Sequence, residues 1–388
     1  MREKYLVFGS PVIEQEEIDE VVSTLQSGWL GTGPKVAMFE EEFRNYVGAN
    51  YAIAVASCTA GLHLSVVALG IKEGDEVIVP ALTFAATANA VIHSGAKPVL
   101  VDVDRSTMTL NYDDVKRKIT SRTKAIIPVH FAGRAADMDE LQAISHEYGI
   151  HIINDAAHAI ETEYHGKKIG AFADITSYSF YVTKNLTTAE GGMIVTDNEA
   201  IANRLKIYAL HGMSKDAWKR FSDDGYKHYQ VVFPGFKYNM TDIQASLGIH
   251  QLRKVDRLHK RREEVWKIYN DRLKHLPLIL PAPQDPNSRH GLHLYIILVD
   301  DTKTNITRDQ LITELHRRNI GTGVHYLGLN WHPFYQQEFG YKIGDFPNSD
   351  FISERTLSIP FSAKLTDQDV EDVIEALEDI FKAPGARK

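Results

Sequence analysis

The sequence predicts an α/β fold: a large domain with a mostly parallel sheet flanked by helices, followed by a smaller C-terminal α+β domain. Three observations carry this. Strand-like and helix-like stretches alternate from about residue 40 to about residue 210. The strand-like stretches are short, rich in Val and Ile and mostly non-alternating, which is how strands buried on both faces of a parallel sheet read. Beyond a joint marked by prolines at 277, 281, 283 and 286, the pattern becomes mixed. Repeated βα units imply right-handed crossovers and an open, doubly wound sheet.

The elements follow in order. "KVAMFEEEFRNYVG" reads as a helix and leads into the strand "YAIAVAS". "AGLHLSVVALG" is a helix closed by Gly70. The strand "EVIVP", the helix "AATANAVIHSG" and the strand "PVLVDVD" come next. The helix "NYDDVKRKI", the strand "AIIPVH", the helix "DMDELQAISHEYG" and the strand "HIINDA" continue the alternation. A β-rich segment spans residues 175 to 182, and "MIVTD" and the helix "EAIANRLKIYALHG" follow Gly192. Residues 213–235 are polar and aromatic and read as a long excursion. A long helix then runs from about residue 241 to about 276, with Ile243, Leu247, Leu252, Val255 and Leu258 at helical spacing. "HLYIILVD", "TRDQLITELHRRNIG" and "DQDVEDVIEALEDIF" supply the smaller domain. The expected division is 1–245 and 246–388, with the first ~15 residues packing on the smaller domain and the long helix linking the two.

The chain of 388 residues, 44% apolar and 24% charged, suits a globular protein with a sizeable core. A net charge of −8 gives no general attraction for nucleic acid. The single cysteine, Cys58, allows no intrachain disulfide and no Cys-rich metal site, so no metal is expected. No stretch has the length and apolarity of a signal peptide or a membrane span. The reading is a cytoplasmic protein that does not engage a membrane. No internal repeat or low-complexity segment is present.

In open parallel sheets, ligands sit at the carboxyl ends of the strands. Four such ends carry polar or aromatic groups. Thr59 and Ala60, with Gly61, open a helix after "YAIAVAS", where an anion can bind; an ordinary N-capped helix is the plain alternative. Phe84 lies just past "EVIVP", where its ring can cover a planar ligand or simply pack in the core. Asp155 ends "HIINDA", with His158 three residues on. A buried carboxylate there needs a partner; the alternative is that Asp155 caps a helix over "AAHAIETE" and His158 is structural. Ser179 and Lys184 flank a turn in "SFYVTKNLTTAEGG". A desolvated lysine amine has a lowered pKa and can form a Schiff base, whereas most lysines are simply solvated. Together, a phosphate-receptive helix start, a ring to stack, a carboxylate for a pyridinium nitrogen and a Schiff-base lysine describe a site for pyridoxal phosphate (PLP).

Over nearly its whole length, the sequence resembles the DegT/StrS family of nucleotide-sugar aminotransferases, which are fold type I PLP enzymes. The segments that carry the likeness are "SGWLGTGPKVAMFEEEF", "ASCTAGLHL", "VIVPALTFAATANAV", "DAAHAIETEYHGKKIG", "SFYVTKNLTTAEGG", "GFKYNMTDIQASLG" and "GTGVHY". The resemblance implies that Lys184 carries the cofactor and that Ser179 and the Thr59–Ala60 turn hold its phosphate. It implies that Phe84 stacks on the ring, Asp155 pairs with the ring nitrogen and His158 lies beside the phenolic oxygen. Asn239 matches the asparagine that reaches the phosphate of a neighbouring subunit, which implies a homodimer with shared sites. L-Glutamate would be the amino donor, leaving as 2-oxoglutarate, and a nucleotide-linked ketosugar, keto at carbon four, the acceptor. Trp29, Thr32, Tyr181, His325 and Tyr326 are the substrate-binding candidates, with Gly321 and Gly323 bracketing a turn that allows close approach to a ligand; Trp29 reads equally well as packing. "HKRREE" at 259–264 reads as a solvated helix face.

"TGPK", "TKAIIPVHFAG" and "GTGVHY" resemble the branch that makes 4-amino-4-deoxy-arabinose on UDP for lipid A, but Tyr181 stands where that branch carries histidine. Family members with histidine at the position of Lys184 are dehydratases. Rival readings are a dehydratase, a cyclitol aminotransferase, or a non-catalytic regulator that binds PLP or a nucleotide sugar.

Overall fold

The computed structural model describes residues 2–214 and 229–383. Most of the excursion expected at 213–235 therefore lies outside the described residues. Seven strands form the central sheet: β1 (Tyr51–Val55), β2 (Glu76–Pro80), β3 (Lys97–Val101), β4 (Thr123–Ile126), β5 (His151–Asp155), β6 (Ile175–Ser179) and β7 (Gly192–Thr196). Their order is β1–β7–β6–β5–β4–β2–β3. β7 is antiparallel to both β1 and β6, and all other pairings are parallel. Six strands thus point the same way, and their carboxyl ends share one edge. Every residue of β2 and β7 is buried, which explains the unbroken apolar runs. The β-rich segment at 175–182 pairs only as far as Ser179.

Helices cover both faces: α1 (Gln15–Ser27), α2 (Pro34–Val47), α3 (Cys58–Ala68), α4 (Ala85–His93), α5 (Tyr112–Lys118), α6 (Met138–Tyr148) and α7 (Glu199–Ala209). The sequence reading had no α1. Its start is a capping box between Glu14 and Glu17, and buried Glu17 pairs with Lys254 at 2.5 Å. The helix considered over "AAHAIETE" does not form. Residues 156–162 are turns, because Ala156 N donates to Ser177 O of β6 and Asp155 Oδ1 accepts from Ala157 N.

The long helix α8 spans Asp242–Leu273, three residues short of the expected end. Its early buried stripe is Ala245, Gly248, Ile249 and Leu252, with Ile243 and Leu247 only half-buried. The shift has a steric cause. A Cβ on Gly248 would lie 2.6 Å from the Phe39 ring, so the backbone of α8 lies directly against α2. α8 then enters a second core with Val265, Trp266 and Tyr269. Here β8 (Leu278–Ile279), β9 (Tyr295–Val299) and β10 (Thr356–Ile359) form an antiparallel sheet. α9 (Arg308–Arg317) and α12 (Asp367–Lys382) pack in this core, whereas α10 (Pro333–Phe339) lies against α4, with Tyr335 Oη donating to Asn89 Oδ1 at 2.8 Å, and α11 (Pro347–Arg355) packs between β9 and the first part. The N-terminal segment joins the second part: Leu6 N donates to Asn319 O, and Gly321 N to Leu6 O. No helix of the described residues is long and apolar enough to cross a membrane.

Asp242 ties α8 to the start of α2. Its carboxylate accepts from the backbone N–H groups of Gly33, Lys35 and Val36 at 2.8 to 3.1 Å, and the residue is 1% exposed. It supplies the anionic cap that α2, with Gly33 at its N-cap, lacks locally. Asp242→Ala should cost about 3 kcal/mol, because buried donors lose a charged acceptor. Chemical denaturation of the variant checks this; a loss below about 0.5 kcal/mol, the range of ordinary surface changes, would contradict the capping role.

Candidate active site

The carboxyl ends of β1, β2, β5 and β6 open onto one cavity of about 340 Å³. Thr59, Phe84, Asp155, His158, Ser179, Tyr181, Lys184, His325 and Tyr326 all line it. Nine of the residues singled out from the sequence therefore meet at one place. Ala60 is buried immediately behind Thr59.

Each wall has a local cause. Ser57 is the N-cap of α3 and accepts from Ala60 N at 3.1 Å. The first N–H groups of that helix have no intrahelical acceptor and form an anion-receptive end. Phe84 precedes α4, and its ring is 60% exposed, 5.8 Å from the ring of Tyr326. A large ring so exposed at a cavity is available to a flat ligand. After β6, Lys184 N donates to Tyr181 O, which makes the predicted turn. The loop is closed at its base by Phe180 N to Gly191 O and Thr188 N to Phe180 O.

Asp155 is 5% exposed. Thr87 donates to its Oδ2 at 2.8 Å, and the Thr83 hydroxyl donates to that of Thr87 at 2.8 Å. Burial raises the Asp155 pKa, opposed by Thr87, Ala157 N and the positive charge of Lys184. Burial pushes Lys184 down to about 8, opposed by Cys58 and Asp155. The same desolvation thus disfavours both charges while their attraction favours them. Burial, with Lys184 and His325 adding, holds His158 well below its usual pKa and therefore neutral. Its Nδ1 accepts from Ala132 N at 3.2 Å, so the proton belongs on Nε2, 3.3 Å from Tyr326 Oη. Burial and Lys184 lower His325 to about 4, and its Nδ1 lies 2.8 Å from Ser358 Oγ.

Three candidates lie elsewhere. Trp29, Thr32 and Asn239 line a separate cavity of about 490 Å³. They also bind one another: Asn239 Nδ2 donates to Thr32 Oγ1 at 2.6 Å, and Trp29 Nε1 donates to Thr32 O at 3.2 Å. Within one chain they do not touch the Lys184 cavity. Conversely, the sequence reading omitted Thr83, Thr87, Cys58 and Glu190. The two threonines stand one helical turn apart just past a strand end, a spacing that points to a shared target. Glu190 lies in the quoted "AEGG" and lines the cavity.

The donor set fits pyridoxal phosphate. The α3 start with Ser179 suits a phosphate dianion, Asp155 a protonated ring nitrogen, Phe84 a ring face and Lys184 the aldehyde carbon. Among the described residues, no group of three His, Cys, Asp or Glu side chains is arranged to hold a metal ion.

Selective acylation of Lys184 in the apoprotein, followed by mass spectrometry across pH, should titrate near 8 and not near the ~10.4 of a free lysine. Below that midpoint the amine is protonated and unreactive; above it the amine is free. A midpoint at or above 10 would contradict the enclosure described.

The sequence profile of the DegT/DnrJ/EryC1/StrS aminotransferase family matches residues 11–378. The chain is 48% identical over 383 residues to the spore coat polysaccharide biosynthesis protein SpsC of Bacillus subtilis, covering 98% of each. The PLP-form of Spr1654 from Streptococcus pneumoniae superposes with a TM-score of 0.90 at 33% identity, over 97% of this chain and 99% of that one. Helicobacter pylori PseC, an aminotransferase involved in the biosynthesis of pseudoaminic acid, gives 0.90 at 28% identity over 98% and 100%. A fold type I sheet, a cavity fitted to pyridoxal phosphate and a match along nearly the entire chain agree: this protein belongs to the DegT/DnrJ/EryC1/StrS aminotransferase family.

Proposed function

We propose that this PLP-dependent aminotransferase moves an amino group from L-glutamate to a nucleotide-linked 4-ketosugar, making an amino sugar for a cell-surface glycan. The observation that carries the reading is the common cavity of Lys184 and Asp155, with an anion-receptive helix start and an uncovered aromatic ring on its walls. The relatives named for polysaccharide and pseudoaminic acid biosynthesis support a sugar as acceptor. The same chemistry would serve lipopolysaccharide synthesis, and a cytoplasmic setting suits nucleotide-sugar substrates.

When bound, the cofactor supplies an electron sink for the carbanion left when a proton departs from the donor's α-carbon. The start of α3 and the Ser179 hydroxyl hold its phosphate, and the Asp155 carboxylate holds a proton on its ring nitrogen. Phe84 covers one ring face and keeps water from it. Lys184 Nζ would take the donor's α-proton and later return a proton in the acceptor half-reaction. A pKa of about 8 keeps a useful share of that amine neutral near neutrality. His158 Nε2–H donates to Tyr326 Oη, which leaves the tyrosine's own proton to aim at the substrate. Tyr181 and His325 flank the mouth where the sugar enters.

Among the described residues, the cavity lining has one lysine and no arginine, so a dicarboxylate donor and a diphosphate substrate need cations from outside that lining. This favours a homodimer in which the wall of Trp29, Thr32 and Asn239 serves the neighbouring protomer's site and brings cations with it: Lys206 lines the same wall, and Lys237 Nζ donates to Asn239 Oδ1 at 2.6 Å.

The test is a single turnover. Enzyme loaded with cofactor should release stoichiometric 2-oxoglutarate from L-glutamate with loss of the visible band. It should then aminate one member of a panel of UDP-, dTDP- and GDP-ketosugars. Retention of the band with every amino donor would overturn the transaminase reading in favour of a binding protein. Asp155→Asn should slow the glutamate half-reaction about 10²-fold while the cofactor stays bound; an unchanged rate would remove Asp155 from the mechanism.

A further inference from the structure

Three segments meet beneath the Lys184 turn: residues 158–162 after β5, the loop 180–191, and residues 290–293 leading into β9. The side chain of Asn185, next in sequence to Lys184 and 5% exposed, joins them. Its Nδ2 lies 2.9 Å from each carboxylate oxygen of Glu161 and 2.7 Å from Gly291 O. Its Oδ1 lies 3.0 Å from His293 Nδ1. A flipped amide would set its oxygen against three acceptors, so this orientation is dictated by its surroundings. His293 must then carry its proton on Nδ1. The His293 ring packs on that of His158 at 4.4 Å between centroids, and His158 reaches Tyr326. One amide thus links the Lys184 backbone to the imidazole stack on the cavity's far wall.

Stability alone does not account for this arrangement. Glu161 is 1% exposed. Its carboxylate has Asn185 and its own backbone N–H as hydrogen-bond partners, the attraction of Arg262 and Lys168, and His259 Nδ1 only at 4.0 Å. Burying such a group is costly, and a well-packed apolar pair often costs less. What the polar arrangement adds is a single geometry.

We infer that Asn185, anchored on Glu161, is a positioning residue that fixes together where Lys184 Nζ and His158 Nε2 point into the cavity. The inference rests on the reading of Lys184 as the cofactor-linking lysine. Asn185 touches neither the cavity nor a substrate, and acts through its neighbours.

The experiment uses full-length apo and cofactor-loaded protein carrying Asn185→Ala, Glu161→Ala or Glu161→Gln. The first readout is the pH midpoint of Lys184 labelling by reductive methylation in the apoprotein. The charged and titratable groups around that amine, Asp155, Cys58, Glu190, His158, His293 and His325, are unchanged in all three, though His293 loses its Asn185 partner in Asn185→Ala. The second readout is the visible circular dichroism of the bound cofactor, and the third is kcat against KM. In Asn185→Ala, the loosened turn should let water reach the amine. Its midpoint should rise from about 8 by roughly one unit toward the free-lysine value of ~10.4. The visible dichroism should shrink, and kcat should fall about 10²-fold with KM changed less than about threefold, as for misplaced reacting groups. Glu161→Ala should act in the same direction, and Glu161→Gln, which keeps an acceptor for Asn185, should recover part of each effect. If Asn185→Ala does not fold, Glu161→Ala decides. A folded variant whose melting temperature drops while the midpoint, dichroism and kcat stay at wild-type values would overturn the inference, leaving a purely structural role. Failure of the underlying reading looks different: Lys184→Ala would then still bind the cofactor covalently, whatever Asn185 does.

Discussion

The structure depends on keeping two opposite charges out of water in one cavity. Lys184 and Asp155 each lose hydration at the carboxyl edge of the sheet, and each is displaced from its usual pKa by that loss. Such a pair is expensive for a chain to hold. The fold meets the cost with local support. Thr83 and Thr87 supply a hydroxyl chain to the carboxylate, and the 180–191 loop is clamped at its base. The strain of desolvation is retained where a cofactor with a cationic ring nitrogen and an electrophilic carbon would relieve it.

The sheet topology makes that pairing possible. Six strands run in one direction and β7 returns against two of them. Residues from four separate strand ends, spread from Thr59 to Lys184, therefore reach one edge. His325 and Tyr326 arrive from the C-terminal part and close the cavity. The N-terminal segment braces this closure: Phe8 stacks on His325 at 5.4 Å, and Gly9 lies against Thr183. The cavity is thus walled by stretches of chain remote in sequence, with the N-terminal segment packed behind His325 and Thr183.

Much of this was legible in the residues. Unbroken Val and Ile runs announced buried parallel strands, and the strand-end rule directed attention to Thr59, Phe84, Asp155 and Lys184. What escaped was set by partners distant in sequence. Nothing near Asp155 says that Thr87 would bind it, and so a helix cap over "AAHAIETE" stayed open. Asp242 looks like an ordinary first-turn residue of α8, yet it caps α2 from more than two hundred positions away. The stripe of α8 was displaced because Gly248 admits the Phe39 ring. Nothing in the sequence singles out Asn185, and Glu161 stands out only as part of the helix considered over "AAHAIETE", since their meeting requires the 290–293 segment. The separation of Trp29, Thr32 and Asn239 from the Lys184 cavity follows the same logic, because Asn239 is held by Thr32 from more than two hundred positions away.

The central claim is that Lys184 is the amine this cavity was built to hold against the cofactor. Borohydride reduction of the PLP-loaded protein, followed by peptide mass spectrometry, tests it directly. The account predicts one pyridoxyl-modified peptide, containing Lys184, and no adduct in Lys184→Ala. An adduct on a different lysine, or an undiminished adduct in that variant, would contradict it.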